Sequence, residues 1–204
     1  MTQHNKTTPR LILASTSPYR AELLGKLQVP FEQLAPDCDE TPLANEPAAR
    51  LVGRLAIGKA VSLCAANPGA IIIGSDQVAD LDGTILGKPG DRETAIAQLQ
   101  ALSGRELIFY TGLAVTSGAT TSDDLSQTQS CVVPTSVTFR NLSRDKIKRY
   151  LDADQPYNCA GSFKSESLGS TLVESMRSED PAALIGLPLI RLSAYLEQFG
   201  FTLP

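Results

Sequence analysis

At 204 residues, 42% apolar and 20% charged, the chain has enough apolar material for one substantial core or two small lobes. Its formal net charge of -4 supplies no broad positive field, which argues against extended electrostatic binding to nucleic acid or to an acidic membrane. A local cationic pocket for a small anion stays compatible with that charge.

In chain order, residues 1–9 read as a flexible polar tail and residues 10–204 as a single domain. Arg10–Ala14 reads as a short buried strand. Ser17-Pro18 then suits a helix entrance, with a hydroxyl cap followed by proline at the first helical position. Ala21, Leu23, Leu24 and Leu27 give that helix its apolar stripe. Val29–Leu34 can return as a strand, and the acidic, proline-bearing stretch Ala35–Glu46 reads as a loop. Pro47 opens a second helix with Leu51, Val52, Leu55, Ala56, Ala60 and Leu63 on its inner face. Ala70–Gly74 is a fully buried strand candidate. Val78–Leu81 and Thr84–Leu86 flank Asp82-Gly83, a strong hairpin signal. Arg92–Leu102 is helical, with Gly104 just past its end. Glu106–Thr116 and Cys131–Phe139 read as strands joined by a polar exposed connection. A helix capped by Ser143 runs to Leu151, Thr171–Val173 is a short strand, and Ala182–Phe199 holds a last helix interrupted at Pro188. Helices alternate with strands and hairpins intervene, so the expected fold is α/β with a mixed twisted sheet and flanking helices.

Cys38, Cys64, Cys131 and Cys159 form no C-x-x-C pair, which argues against a disulfide framework or a zinc site and suits free thiols in a reducing cytosol. The lone histidine, His4, leaves no basis for a His-based triad. No segment has the length of a signal peptide's apolar region or of a membrane span, so a cytoplasmic location is expected.

Several stretches could carry chemistry. In "ASTSPYR", Ser15, Thr16 and Ser17 lie between a buried strand and a helix N-terminus, where free N–H groups and the helix dipole suit a phosphate. Arg20 adds a fork of donors there, although Ser17 also serves as a plain cap and Arg20 also suits a solvated face. This is no P-loop, because G-x-x-x-x-G-K-[ST] is missing. Asp37, Asp39 and Glu40 are oxygen ligands of a kind that suits Mg²⁺ or Mn²⁺, or else a solvated acidic loop. Lys59 sits at i+4 from Leu55 beside an apolar stripe, from which it can snorkel to solvent or point into a cleft. Asp76 follows "IIIGS" directly; it is either a turn-former or a carboxylate held at the end of a buried strand, where ligands collect in open α/β sheets. Lys88 in "GKP" is constrained by its neighbours. A metal-binding Asp followed by such a Lys is what a polyphosphate site needs.

Taken together, "LILASTSPYRAELL", Asp39-Glu40, "LAIGKA", "GSDQV", "GKP", Ser103-Gly104, Thr111-Gly112, "CAGSFKSE" and "IGLPL" resemble, in this order, the Maf family of nucleoside triphosphate pyrophosphatases. The resemblance runs from about Leu11 into the last helix and is nearest to the YceF-type branch, the 7-methyl-GTP pyrophosphatases. It implies an inosine-triphosphatase-like α/β fold with two lobes around a cleft, a divalent cation, a nucleoside triphosphate substrate cleaved between the α and β phosphates, and a homodimer. Carried across, Asp76 is the catalytic proton acceptor and, with Glu40, a metal ligand. Ser15, Arg20, Lys59 and Lys88 match positions in the polar phosphate pocket, and Tyr19, Gln77 and Glu166 match positions tied to base choice.

These roles agree with the residue chemistry. A 7-methylguanine base carries positive charge and suits the face of Tyr19, while Glu166 could accept from guanine N1–H and N2–H₂ and Gln77 could donate and accept. One departure stands out: Trp is expected at the Tyr19 position in this branch, and Tyr is a smaller platform. The leading expectation is hydrolysis of 7-methyl-GTP, which keeps it out of RNA. Its rivals are the same chemistry on dTTP and UTP, and a non-catalytic nucleotide-binding regulator of septum formation. An RNA-binding module would need a basic stripe with interleaved aromatics, which the chain lacks.

Overall fold

In the computed structural model, which describes residues 9–203, the apolar run Leu11–Ala14 is strand β1, buried along its whole length. The tail expected over residues 1–9 lies, apart from Pro9, outside the described residues. The remaining strands are β2 (Glu32–Leu34), β3 (Ile71–Leu81), β4 (Thr84–Leu86), β5 (Glu106–Ser117), β6 (Thr128–Phe139) and β7 (Val173–Ser178). They form one sheet in the order β2-β1-β3-β5-β6-β7, with β4 paired to β3. The β2-β1-β3 portion is parallel and every other pairing is antiparallel, so the sheet is mixed as expected. The α-helices are α1 (Pro18–Gly25), α2 (Ala48–Val61), α3 (Arg92–Leu102), α4 (Arg144–Asp154) and α5 (Leu189–Gln198).

Side-chain alternation on β3 and β5 decides what each face of the sheet carries. Ile72 and Ala114 pack with Ile12 and Ala14 against Ala56, Ala60 and Cys64, on the face that α2 covers. On the other face, Ile71, Ile73, Leu113 and Val115 join Leu23 and Leu24 of α1 with Leu192 and Leu196 of α5. Farther along that second face, Ala79, Leu81, Leu107 and Phe109 pack with Leu99 of α3 and Ile147 and Leu151 of α4. The sheet therefore carries three clusters, one beneath α2 and two side by side on the opposite face, and the two lobes correspond to the two cores of that second face.

Two glycines seat α2 flat on its face. A Cβ on Gly74 would lie 2.1 Å from the Ala56 carbonyl oxygen, and one on Gly112 would lie 2.2 Å from that of Val52. Gly74 and Gly112 belong to adjacent strands, with Gly112 directly opposite Asp76. Any side chain at either glycine would lift the helix off the sheet.

Most elements match expectation, and the differences have local causes. The strand expected to end at Gly74 continues to Leu81, because β5 pairs with it residue by residue as far as Asp80. Asp76 therefore sits within a strand, not at its end. β2 begins only at Glu32, after Pro30, which lacks the N–H a strand needs. α4 runs on to Asp154, where Gln155 closes it in a left-handed conformation. Thr171 and Leu172 belong to a 3-10 turn (Leu168–Leu172), so β7 starts at Val173. Pro188 does interrupt the last helical stretch, separating a 3-10 turn (Pro181–Ile185) from α5. Asp82 and Gly83, with φ of 50° and 84°, make the hairpin turn between β3 and β4.

Candidate active site

The site begins with a gap in strand pairing. β1 ends at Ala14 opposite Gly74, and β4 begins its pairing at Ala79, on the edge of β3 that β5 does not occupy. Residues 75–78 therefore have no strand neighbour on that edge, and a cleft of about 600 Å³ opens beside them. It is the carboxyl end of β1, more than of β3, that opens this ligand-accessible crevice.

Asp76 projects from β3 toward α2, only 8% exposed. Lys59, on α2, is 6% exposed and does not snorkel. Its ammonium lies 2.6 Å from Asp76 Oδ1 and 3.0 Å from Glu40 Oε1. The close seating of α2 on Gly74 and Gly112 explains how a lysine from the inner stripe meets a carboxylate from the sheet. A buried charge needs a partner to offset its lost hydration, and here the cation bridges two carboxylates from different elements. Glu40 reaches in from the proline-bearing loop and stays largely exposed. That loop is held by Arg54 of α2, which donates to both carboxylate oxygens of Glu46 and to the Thr41 carbonyl. The Arg54 bonds hold the Glu46 carboxyl down at about 2.

A second group of polar residues meets the turn before α5. Ser15 is buried, and its Oγ accepts from the Ser17 backbone N–H at 3.1 Å and from Arg20 Nη1 at 3.3 Å. Ser17 caps α1, accepting from the Arg20 N–H. Arg20 Nε donates to the Gly186 carbonyl at 2.9 Å. Burial pushes the Arg20 guanidinium down from its usual value, while the charges of Asp76 and Glu40 pull the other way. On the opposite face of β3 from Asp76, the Gln77 amide nitrogen donates to Thr111 Oγ1, Ala183 O and Leu184 O. With its nitrogen committed, Gln77 keeps its carbonyl oxygen as the atom with bonding capacity to spare, so of the two expected roles it retains that of acceptor. Amide orientation follows here from the hydrogen-bond network.

The far wall carries the remaining candidates. Tyr19 is half-buried, and the Lys164 ammonium lies 5.7 Å from its ring centroid. Glu166 is exposed and accepts from Ser165 Oγ at 3.3 Å. Lys88 is exposed just after β4. Ser15, Tyr19, Arg20, Glu40, Lys59, Asp76, Gln77, Lys88 and Glu166 all line the one cleft. Asp37 and Asp39, the other acids of the loop, do not line it. Asp39 instead accepts from the Thr41 N–H.

Some supporting residues escape a reading of the sequence. Asp180 is 1% exposed and accepts backbone N–H bonds from Ala182, Ile190 and Arg191. It thereby caps the 3-10 turn and the start of α5 together, and fixes the carbonyls that hold Gln77 and Arg20. Ser75 donates to the Gly112 and Gly186 carbonyls, and Thr111 donates to Ala183 O. Asp before Pro181 is a weak turn signal that could have drawn attention to the first of these.

No group of three or more His, Cys, Asp or Glu side chains converges on one point among the described residues. Asp76 and Glu40 both reach the Lys59 ammonium at the cleft, and two carboxylates so placed suit Mg²⁺ or Mn²⁺, which commonly take one or two protein carboxylates and complete their shell with water and substrate phosphate. All four cysteines are free thiols. Among the described residues, no helix is long and apolar enough to cross a membrane.

Comparison with known proteins gives consistent relatives. The 7-methyl-GTP pyrophosphatase of Nitrosococcus oceani is 51% identical over 193 residues, covering 95% of this chain and 94% of that protein. The 7-methyl-GTP pyrophosphatase of Vibrio vulnificus is 51% identical over 191 residues, covering 94% of this chain and 95% of its own. A protein of the same description from Bordetella avium is 51% identical over 192 residues, 94% of each chain. A solved nucleoside-triphosphatase / dITP/XTP pyrophosphatase from Mycobacterium abscessus aligns with a TM-score of 0.42 at 16% identity over 65% of this chain and 75% of that one, a likeness too loose to carry an assignment. The profile of the family described as Maf-like protein matches residues 10–199. Nearly the whole of the described chain falls within that match, and the chain belongs to the Maf-like family.

Proposed function

We propose that this chain is a nucleoside triphosphate pyrophosphatase that hydrolyses 7-methyl-GTP to 7-methyl-GMP and diphosphate, keeping the modified nucleotide out of nucleic acid. The observation that carries the catalytic part is the Lys59 ammonium lying between Asp76 and Glu40 at the floor of a cleft that Arg20 and Lys88 also line. Such a cleft combines a proton acceptor with cationic donors, the two things that attack on a phosphorus between charged oxygens requires. The base preference is supported by relatives of about half identity that bear the name 7-methyl-GTP pyrophosphatase. Four free thiols suit a reducing, cytoplasmic setting.

In this reading Asp76 accepts the proton of the attacking water at its carboxylate. Lys59 orients that carboxylate and adds positive charge beside the phosphates. Arg20, held by Ser15 and Gly186, and Lys88 at the rim stabilise charge as it develops on the phosphate oxygens. A divalent cation held by Glu40 and Asp76 would neutralise the triphosphate and acidify water. Tyr19 offers a face to the cationic base, and Glu166 and the Gln77 carbonyl oxygen offer acceptors that match the donor edge of guanine better than the mixed edge of a pyrimidine.

Pyrophosphate release across a panel of 7-methyl-GTP, GTP, dTTP and UTP with Mg²⁺ or Mn²⁺ tests the substrate. A preference for dTTP or UTP would replace the proposed base, and nucleotide binding without turnover would favour a regulator. Asp76→Asn is expected to lower kcat by about 10³-fold on every nucleotide, the scale of a lost general base. Full activity in that variant would remove Asp76 from the chemistry.

A further inference from the structure

Lys146, Tyr150 and Asp154 stand four residues apart on α4 and so form one stripe of that helix. All three bond to a single segment, residues 164–171. Lys146 Nζ donates to the Thr171 carbonyl at 2.8 Å, the Lys164 backbone N–H donates to Tyr150 Oη at 3.1 Å, and Ser167 Oγ donates to Asp154 Oδ1 at 2.5 Å. This segment carries Glu166 into the cleft and sets the Lys164 ammonium against the Tyr19 ring. It is also braced internally. Ser170 Oγ donates to the Ser165 carbonyl at 2.8 Å, and a Cβ on Gly169 would lie 2.3 Å from the Lys164 carbonyl oxygen.

Neither Tyr150 nor Asp154 lines the cleft. Tyr150 is 4% exposed, and burial pushes its phenol well up, so it stays a neutral hydroxyl. Asp154 is the more telling residue. Its Oδ2 is buried with no hydrogen-bond partner among the described residues. A carboxylate oxygen withdrawn from water and left unpaired is a net cost to the fold, one that an apolar residue would avoid. Its single bond goes to the residue next to Glu166.

We infer that Tyr150 and Asp154 are positioning residues for base discrimination, with α4 acting as a rail that fixes where Glu166 and Lys164 stand over the nucleobase site. The inference rests on the reading of Glu166 as a base-reading residue. Discrimination between bases is a difference of affinities and is sensitive to small displacements of the reading group, whereas Asp76, Lys59 and Arg20 are held by other elements. Loosening the rail therefore changes which nucleotide is preferred and leaves the phosphate chemistry in place.

The test compares Tyr150→Phe, which keeps the ring and removes the acceptor, with Asp154→Ala and Asp154→Asn. Glu166→Gln serves as the control, and kcat and KM are measured on 7-methyl-GTP, GTP and dTTP with urea midpoints alongside. In Tyr150→Phe and Asp154→Ala, KM for 7-methyl-GTP is expected to rise about fivefold with kcat held within about twofold, and the kcat/KM ratio over GTP falls about fivefold. Asp154→Asn, which keeps an oxygen acceptor for Ser167, retains the parental ratio. Equal losses on every nucleotide, or an unchanged ratio in both Tyr150→Phe and Asp154→Ala, would overturn the rail. An unchanged ratio in Glu166→Gln would overturn the base-reading role itself, and the rail with it. A shifted ratio in Glu166→Gln, with none in the α4 variants, would remove the rail alone.

Discussion

Lys59 is the residue on which two readings of the sequence diverged, and its environment resolves them. An ammonium beside an apolar stripe normally reaches solvent along its own methylenes. Here the backbone of α2 lies too close to the sheet for that, and the ammonium meets Asp76 and Glu40 instead. Replacing it with Met would keep the volume and leave Asp76 buried without its cation. Lys59→Met should therefore cost about 3 kcal/mol of stability, the scale of breaking a buried pair, and lower kcat/KM by at least about 10²-fold. Urea denaturation and steady-state kinetics check the two parts separately. Parental stability in this variant would mean that the burial of Asp76 does not depend on the Lys59 cation. At this scale the sequence was informative about which residue types to watch. Lys59, Asp76 and Lys88 stood out by their apolar or constrained settings, whereas Asp180 did not, because its value lies in three backbone N–H groups gathered from two later elements.

Among elements, α2 and the acidic loop decide the geometry of the floor. Gly112→Ala would set a methyl 2.2 Å from the Val52 carbonyl oxygen, a clash with backbone that no rotamer change relieves. It is expected to cost about 3 kcal/mol, at the upper end for overpacking, and to lower activity by moving Lys59 away from Asp76. Thermal denaturation with an activity assay tests this, and Gly25→Ala at the exposed end of α1 is a control that meets no such atom and needs no left-handed backbone. The loop that carries Glu40 depends on the Glu46–Arg54 clamp. The Glu46 carboxyl is held at about 2 against its ordinary 4.5, first by the Arg54 hydrogen bonds. A carboxyl depressed in the folded state stabilises that state above its ordinary value, and the contribution fades as pH falls toward the folded one. Glu46→Gln should thus lower the urea midpoint at pH 7, with the difference from the parent shrinking between about 4.5 and about 2. A difference that persists unchanged at the acid end would mean the clamp is steric. Periodicity alone locates α2, α3 and β5 closely, yet it ends β3 at Gly74. The continuation of that strand past a carboxylate depends on pairing with β5, a partner distant in sequence.

For the molecule as a whole, β3, β5 and β6 run through both cores as strands of 11, 12 and 12 residues. A lobe cannot lose its share of the sheet without disrupting the other. We therefore expect residues 10–204 to unfold as one domain in a single urea transition, with far-UV circular dichroism and tyrosine fluorescence coinciding. Two separated transitions would divide the chain into independent units. The sequence by itself determined the alternation of helices and strands, the family, and the residue types that a triphosphate cleft requires, because periodicity, capping and motif order are local properties of the chain. Only the tertiary structure decided that the cleft opens at residues 75–78, where β1 has stopped and β4 has not begun. It alone decided that Lys59 bridges Asp76 and Glu40, and that α4 holds the segment bearing Glu166. Strand register and the close approach of a helix to two glycines join residues far apart in the chain, and local propensity carries no record of them.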